Sequence, residues 1–424
     1  MRAGSDARAS RAFDGSAVAV ATSVMNVATY GFTVLAARVI GPSEYGAFVA
    51  CLGLLIVIQV GALGLQATAA RRIALDLSNV AAIERAISAL ATKVSLALGL
   101  ALLVLAPVIT RLLNLDSVVT ALIVALAAVP MTLGGGQAGI LQGERRWGAL
   151  AAFYIAGGVP RLVIGTALIL WRPDATAALA GVAVGLVFPV LVGWWVLRHR
   201  RTPDPATSTG PVTSATHHSA RSMLVESSHN VQVLFAYFAL SSVDIIIARQ
   251  VLSDHDAGLY AAGLIMAKVM LFLPQFVVIV AFPDMATPEG RQRALVRSLL
   301  FVLVLGIAAT LSAKVLSGLA MAFVGGPEYG EVESLLWVFA VLGTVLALLQ
   351  LQVYAVLARQ GRRSVLLVWA ALVALVIVGF GADSLKELVV RVVVVDSVLL
   401  VVLTILSLRL ARQPLVAPEV PAAQ

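Results

Sequence analysis

The sequence predicts an all-α, polytopic membrane protein with about twelve transmembrane helices. Three observations lead to this fold class. Of the 424 residues, 60% are hydrophobic and only 12% are charged, which is too few charges to cover a water-soluble protein of this size. Apolar segments of roughly twenty residues recur along the chain, and each is long enough to cross a hydrocarbon core of about 30 Å. Within lipid the backbone must bond to itself, so these segments form helices even where valine is abundant.

Twelve spans follow from the apolar lengths and from the residues that break them. They cover residues 15–39, 45–69, 88–112, 117–141, 147–170, 176–197, 230–250, 256–282, 296–317, 332–357, 364–381 and 388–408. The first span follows Arg2, Arg8 and Arg11 and is too long for the core of a signal peptide. We therefore predict that it is retained in the mature protein.

The positions of the basic residues test this count independently. With the N-terminus in the cytoplasm, 20 of the 30 Lys and Arg residues fall in cytoplasmic segments, 7 at outer ends and 3 within spans. Because Lys and Arg are enriched in cytoplasmic loops, this asymmetry predicts a multi-pass protein with both termini in the cytoplasm.

The excess of Arg over Lys is typical of a GC-rich bacterial genome, so we expect the bacterial plasma membrane. The net charge of +8 then belongs to loops beside anionic lipid and does not indicate a nucleic-acid partner.

A polar segment near the middle divides the chain. Residues 198–222 are rich in Arg, His, Pro, Thr and Ser and are predicted to form a cytoplasmic linker. The expected organisation is a cytoplasmic segment at 1–14, a six-helix bundle at 15–197, the linker at 198–222, a second six-helix bundle at 223–410, and a disordered cytoplasmic tail at 411–424.

An internal repeat supports this division into two halves. Arg38, a turn and Gly46 join the first two spans, and Arg249, a turn and Gly258 join the seventh and eighth. Both junctions fall on the same side of the membrane, so the repeat is parallel and the halves are pseudo-symmetric. The turn at residues 41–46 also recurs in shortened form at residues 326–330.

In their order and spacing these motifs resemble those of the polysaccharide-type flippases, which belong to the multidrug/oligosaccharidyl-lipid/polysaccharide exporter superfamily. The resemblance extends over residues 15–408 and rests on Ala37-Arg38-x-x-Gly41-Pro42-x-x-Tyr45-Gly46, Leu63-Gly64-Leu65, Arg71-Arg72, Leu141-Gln142-Gly143-x-Arg145-Arg146, Val243-Asp244, Gly258-x-Tyr260 and Gly326-Pro327-Glu328-Tyr329. It implies two six-helix bundles around a central cavity. It also implies alternating access that moves a polyprenyl-diphosphate-linked oligosaccharide from the cytoplasmic to the outer leaflet. The implied partners are this glycan, membrane lipids, a glycan polymerase and glycosyltransferases.

Charged and polar residues inside spans are the first candidates for a binding site, because they are costly in lipid. Arg161 and Lys268 are candidates for binding a diphosphate; the alternative is that each pairs with a buried carboxylate or extends to an interface. Asn26, with Gln59 and Gln66, is a candidate for binding sugar hydroxyls. The alternative for these three residues is hydrogen bonding between helices.

Five further residues are candidates at the ends of spans or beside them. Arg38 and Arg249 are placed to receive the head group as it leaves, or to anchor helix ends at lipid phosphates. Arg71 and Arg72 are placed to capture the diphosphate first, although the cytoplasmic enrichment in Arg explains them equally. Asp244 is a candidate gate partner or proton-coupling carboxylate, with a structural ion pair as the alternative.

Other functions make different demands on the sequence. An antiporter of small organic cations from the same superfamily would favour acidic residues in the cavity, whereas most mid-span charges here are basic. A membrane glycosyltransferase or glycan polymerase usually needs an acidic residue on a sizeable outer loop, and the predicted outer loops are short. The alternative that the protein is a scaffold without transport activity stays open.

Residues 134–139 match G-x-G-x-x-G, but they lie inside a span without a preceding strand, so no nucleotide is expected. We predict no catalytic residue, no metal and no cofactor.

Overall fold

The computed structural model describes residues 2–76, 79–199, 220–271, 291–319, 327–357 and 362–411. These residues form helices joined by short turns, without a strand in the described ranges. The elements are α1 (Arg2–Leu75), α2 (Val80–Leu112), α3 (Val118–Gly143), α4 (Trp147–Trp171), α5 (Ala175–Arg198), α6 (Ala220–Val251), α7 (Asp254–Met270), α8 (Arg291–Val315), the 3-10 helix η1 (Pro327–Leu335), α9 (Leu336–Leu357), α10 (Arg362–Gly379) and α11 (Leu385–Ala411).

The helices agree with the predicted set of spans. Nine of the described helices are long and apolar enough to cross a membrane. One of these is α1, which contains the first two predicted spans. The shorter helices α7 and α10 coincide with the eighth and eleventh spans, and the predicted end of the eighth span at residue 282 lies outside the described residues. The prediction of an all-α protein with about twelve membrane helices is confirmed.

The helix α1 consists of two arms that meet at a sharp bend. Gly41 has φ 75° and ψ 167°, whereas the arms at residues 2–40 and 42–75 are helical. A side chain is strongly disfavoured at this combination of angles, so the bend requires glycine. Pro42 follows directly and begins the second arm, because its fixed φ suits a first helical turn and its missing N–H is not needed there.

Replacing Gly41 by alanine is expected to lower the free energy of unfolding by about 1–3 kcal/mol, the usual cost of forcing a side chain into this backbone conformation. The matched control is Gly31→Ala in the first arm, where an added Cβ would meet nothing within 4 Å. The two variants would be compared by thermal unfolding in detergent. Equal unfolding midpoints for both would show that the bend does not depend on glycine.

The helix α2 begins at Val80, eight residues before the predicted start of the third span at residue 88. The predicted span lies within this helix and omits its polar start, because the prediction followed apolar length alone. The polar first turns of α2 carry Ile83 and Ile87, which are buried against Leu65 and Ile73 of α1. Packing against another helix therefore extends the helix beyond its apolar segment.

Two predicted segments lie largely outside the described residues: the linker at 198–222 and the tail at 411–424. The N-terminal segment at 1–14 is described from Arg2, and its backbone is helical there as part of α1. The division into two bundles with these boundaries stays a prediction.

The repeat-related turns meet at one end of the protein, which we call the Gly41 face. A Cβ added to Gly46 would lie 3.0 Å from the Gly258 nitrogen, so the two equivalent glycines of the repeat pack against each other. The shortened copy of the turn joins them, because the rings of Tyr45 and Tyr329 make an edge contact with centroids 6.3 Å apart. The Tyr329 hydroxyl also donates a hydrogen bond to the Ala37 carbonyl at 2.8 Å. The three turns therefore join the N-terminal and C-terminal halves at this face.

Candidate functional site

A cavity of about 560 Å³ lies between the helices and reaches Tyr45, which belongs to the turn at residues 41–46. Its volume falls within the range of roughly 300–1,000 Å³ that is common for ligand sites. Most of its wall comes from α1, α3, α4 and α5, and α7 supplies the contribution of the C-terminal half. Positions three or four residues apart on each helix face the cavity, as Tyr154, Gly157 and Arg161 do on α4. Close packing of α3 against α1 shapes the wall, since a Cβ at Gly135 would lie 2.4 Å from the Ala62 carbonyl oxygen.

The charged residues in the described wall of this cavity are Arg161 and Lys268. The Arg161 guanidinium lies over the Phe32 ring, 5.8 Å from its centroid. Its Nε atom is buried and has no hydrogen-bond partner within the described part of the chain, and no ion pair joins it to a described carboxylate. The alternative reading of Arg161 as half of a buried ion pair therefore finds no support in these residues. A buried cation with no carboxylate partner among the described residues favours an anionic ligand.

Lys268 has a different environment. The Tyr30 hydroxyl donates to the Lys268 carbonyl at 3.4 Å, which joins α1 to α7. Its ammonium group interacts electrostatically with Asp244, which is 1% exposed and sits outside the cavity wall. Asp244 accepts hydrogen bonds from the Tyr260 hydroxyl at 3.2 Å and from the Ile245 nitrogen at 2.9 Å. It is therefore anchored on α6 and α7 and provides negative charge beside Lys268.

Asp396 of α11 lies near this group and is equally buried, at 1% exposed. Neither of its side-chain oxygens has a hydrogen-bond partner among the residues that the structure describes. It interacts electrostatically with Asp244. No described group of three His, Cys, Asp or Glu residues has the arrangement of a metal site.

Uncharged polar residues form a second part of the cavity wall, at Asn26, Gln59 and Gln66. The amide nitrogen of Gln66 donates to Gln142 Oε1 at 3.1 Å and to the Tyr154 hydroxyl at 3.2 Å. The alternative of interhelical hydrogen bonding therefore holds for Gln66. It does not hold for Asn26 and Gln59 in the described chain, where their amides make no hydrogen bond to another residue. Since an unbonded amide is costly in a membrane, these two amides, which lack a partner among the described residues, are candidates for contact with a ligand.

The structure brings together three of the eight candidate residues at the cavity wall: Lys268, Arg161 and Asn26. The other five lie away from it. Asp244 is buried beside Lys268; Arg249 is buried at the Gly41 face; Arg38 and Arg71 are exposed, and Arg72 is half-buried. The alternative of a structural pair with a basic residue fits Asp244, whose charge interacts with that of Lys268, whereas Arg249 forms its ion pair with Asp254 at 2.8 Å.

Sequence reasoning did not identify Tyr30 or Tyr154, which also line the cavity. A signal was present in the first span, where polar residues recur every three or four positions at Thr22, Asn26, Thr29 and Thr33. In an otherwise apolar helix this spacing indicates a face turned away from lipid. Tyr154 lies two helical turns from Arg161 on the same face of α4, at the spacing a cavity-lining face requires.

The fold of this chain is similar to that of solved membrane transporters. The chain is similar to an inward-facing multidrug resistance MATE family transporter of the MOP superfamily, with 15% identity and a TM-score of 0.68 over 92% of this chain and 94% of the other. It is also similar to a eukaryotic MATE transporter, with 12% identity and a TM-score of 0.65 over 95% and 98% of the two chains. A MOP superfamily transporter from Pyrococcus furiosus gives 14% identity and a TM-score of 0.56 over 93% and 94%.

The family follows from the sequence itself. The model of the family described as polysaccharide biosynthesis protein matches residues 14–289, and the chain belongs to that family. No curated protein matches the sequence. Family and fold together make the protein a multi-pass membrane transporter or flippase of the MOP superfamily, as its motifs predicted.

Proposed function

We propose that the protein flips a polyprenyl-diphosphate-linked oligosaccharide from the cytoplasmic to the outer leaflet of the bacterial plasma membrane. Both termini lie in the cytoplasm in this proposal, and the Gly41 face is the outer one. The placement of 20 basic residues in cytoplasmic segments against 7 at outer ends supports this orientation. The two bundles at 15–197 and 223–410 rock against each other and expose the cavity alternately to each side.

The observation that carries the proposal is the pair of cations in the cavity. Arg161 has no described carboxylate partner, and Lys268 faces the same space from the other half. A diphosphate is anionic at neutral pH, and guanidinium and ammonium groups bind phosphate oxygens by charge-assisted hydrogen bonds. An antiporter of organic cations needs acidic residues in this position, and both charged residues of the described wall are basic.

The amides of Asn26 and Gln59 complete the site as contacts for sugar hydroxyls. Their donors and acceptors have no partner in the described residues, and a hydroxyl can serve as both. Asp244 holds the Lys268 side chain by electrostatic attraction, and it is not itself a contact for the substrate. At the cytoplasmic ends of the spans, Arg71 and Arg72 attract the diphosphate before it enters. Arg38 receives it at the outer face.

The partners that the proposal implies are the glycosyltransferases that build the lipid-linked glycan and the polymerase that uses it on the outer side. Membrane lipids surround the helices, whose lipid-facing positions include Val104, Val163 and Val304.

The proposal is tested by ligand stabilisation of the purified protein. A short-chain prenyl diphosphate is expected to raise the unfolding temperature in detergent, because a ligand that binds only the folded state stabilises it by mass action. The prenyl alcohol of the same length, which lacks the charge, is the control. Stabilisation by the alcohol alone, or by organic cations and not by the diphosphate, would contradict an anionic cargo.

Replacing Gln59 by leucine is expected to weaken binding of a glycan-bearing prenyl diphosphate by about 2- to 10-fold, the value of one hydrogen bond of roughly 0.5–1.5 kcal/mol. Binding of the glycan-free diphosphate should not change, since Arg161 and Lys268 remain. Isothermal titration with both ligands distinguishes these effects. An equal loss for the two ligands would mean that Gln59 does not contact the sugars.

A further inference from the structure

We propose that Arg249 and Gln250 form a latch that holds the outer end of the cavity shut, by binding the free end of α2 in the other half of the protein. We call this pair, together with the carbonyl groups of residues 111–114, the outer latch. The inference concerns alternating access and the orientation given above, and it does not depend on which substrate is carried.

The end of α2 presents carbonyl groups that the helix itself cannot satisfy. Leu113 is the C-cap residue that follows the helix, and Asn114 comes next in the left-handed conformation with φ 48°. The Leu115 nitrogen then donates back to the Thr110 carbonyl at 2.9 Å. This geometry closes the helix but leaves acceptor capacity on its last carbonyls, which carry the negative end of the helix dipole.

Two consecutive side chains of α6 supply the missing donors. The Arg249 Nε atom donates to the Leu113 carbonyl at 3.0 Å, and one of its Nη atoms donates to the Asn114 carbonyl. The Gln250 amide donates to the carbonyls of Arg111 at 3.1 Å and Leu112 at 2.9 Å. Four successive carbonyls of one half are thus bound by two residues of the other.

The arginine of the latch is held from its own half. Its second Nη atom forms an ion pair with Asp254 at 2.8 Å, and Asn114 Nδ2 donates to the same carboxylate oxygen at 3.4 Å. Arg249 is only 3% exposed, so its charge is stabilised by these contacts and hardly by water. Its counterpart in the repeat, Arg38, is exposed. Of these two equivalent arginines, Arg249 in the second copy of the repeat is therefore the one that forms the latch.

The latch lies where the halves must part when the cavity opens outward. It stands beside the contact of Gly46 with Gly258, and a Cβ at Gly258 would lie only 1.9 Å from the Pro42 carbonyl oxygen. Separation of the two halves at this face breaks every contact of the latch with α2. The strength of the latch therefore sets the fraction of molecules that face outward in the absence of substrate.

The test follows access to the cavity from outside in whole cells, with no substrate added. The single cysteine, Cys51, is replaced by alanine, and Thr33, which lines the cavity, is replaced by cysteine as a reporter. A membrane-impermeant maleimide then labels the reporter only when the outer face opens. Arg249→Ala is expected to raise the labelling rate roughly 10-fold or more, because hydrogen bonds from a charged group are lost.

The matched control is Arg172→Ala, an outer-face arginine whose ion pair with Asp174 is exposed and stays within the N-terminal half. It should leave the labelling rate unchanged. Gln250→Ala is a second test variant, for the case that Arg249→Ala does not fold. Gln250 is exposed, and its removal leaves no buried charge without a partner. It is expected to raise labelling by about 5-fold or more, because two neutral hydrogen bonds are lost. Unchanged labelling in the folded Gln250 variant, or an equal increase in Arg172→Ala, would overturn the latch.

Discussion

Replacing Arg161 by glutamine is expected to lower translocation of a diphosphate-linked oligosaccharide by about 10- to 100-fold. Charge-assisted hydrogen bonds to a ligand are worth roughly 1.5–3 kcal/mol, and each 1.4 kcal/mol corresponds to a factor of ten. The loss should be large because no described carboxylate balances Arg161, so its charge is available to the cargo. Arg161→Lys keeps the charge but not the bidentate geometry, and an intermediate rate is expected.

The control for this prediction is Arg198→Gln. Arg198 also lies over an aromatic ring, 5.1 Å from the centroid of Trp194, but it does not line the cavity. Translocation is measured in proteoliposomes, with the amount of folded protein checked by size-exclusion chromatography. If Arg161→Gln and Arg198→Gln transported equally well, the cavity cation would have no part in binding the cargo.

Replacing Gly258 by alanine is expected to weaken closure of the outer face and to reduce translocation by about 10-fold or more. The added Cβ would lie 1.9 Å from the Pro42 carbonyl oxygen and 2.8 Å from its Cα, so the backbones of the two halves must move apart. Overpacking of this kind costs roughly 1–3 kcal/mol. The cost falls on the closed state alone, so the population shifts towards the outward-open state.

Gly330→Ala provides the matched control, because this glycine belongs to the related turn and an added Cβ there meets nothing within 4 Å. The same reporter at residue 33 measures opening, and the translocation assay measures turnover. Wild-type labelling and transport in Gly258→Ala would show that the turns need not be in contact for the outer face to close.

Much of this architecture could be predicted from the sequence, because lipid permits few backbone structures. The spans follow from apolar length, and the repeat identifies Gly46 and Gly258 as equivalent positions, whose direct contact the structure then adds. Arg161 and Lys268 could be recognised because a charge inside a span is rare. Where the prediction depended on local sequence alone it was less accurate, as at the start of α2, which tertiary packing extends to Val80.

The pairing of polar side chains could not be predicted, because it depends on residues that are distant in sequence. Gln59 and Gln66 have the same chemistry and lie on the same arm of α1, yet among the described residues Gln66 alone has a partner that is distant in sequence, Tyr154, 88 residues away. Arg249 similarly binds carbonyls that precede it by 136 and 135 residues, and not the nearby Asp244. Side-chain roles in this fold are decided by contacts between helices.

The central claim is that the cavity carries an anionic lipid-linked glycan, and translocation in proteoliposomes tests it most directly. The wild-type protein would be reconstituted with a labelled polyprenyl-diphosphate oligosaccharide on the inner leaflet, and arrival on the outer leaflet followed with an external glycan-cleaving reagent. We expect time-dependent cleavage that requires the protein, and none with the same glycan on an uncharged polyprenyl lipid. Absence of cleavage for the diphosphate lipid, together with efflux of small organic cations from the same vesicles, would contradict the claim.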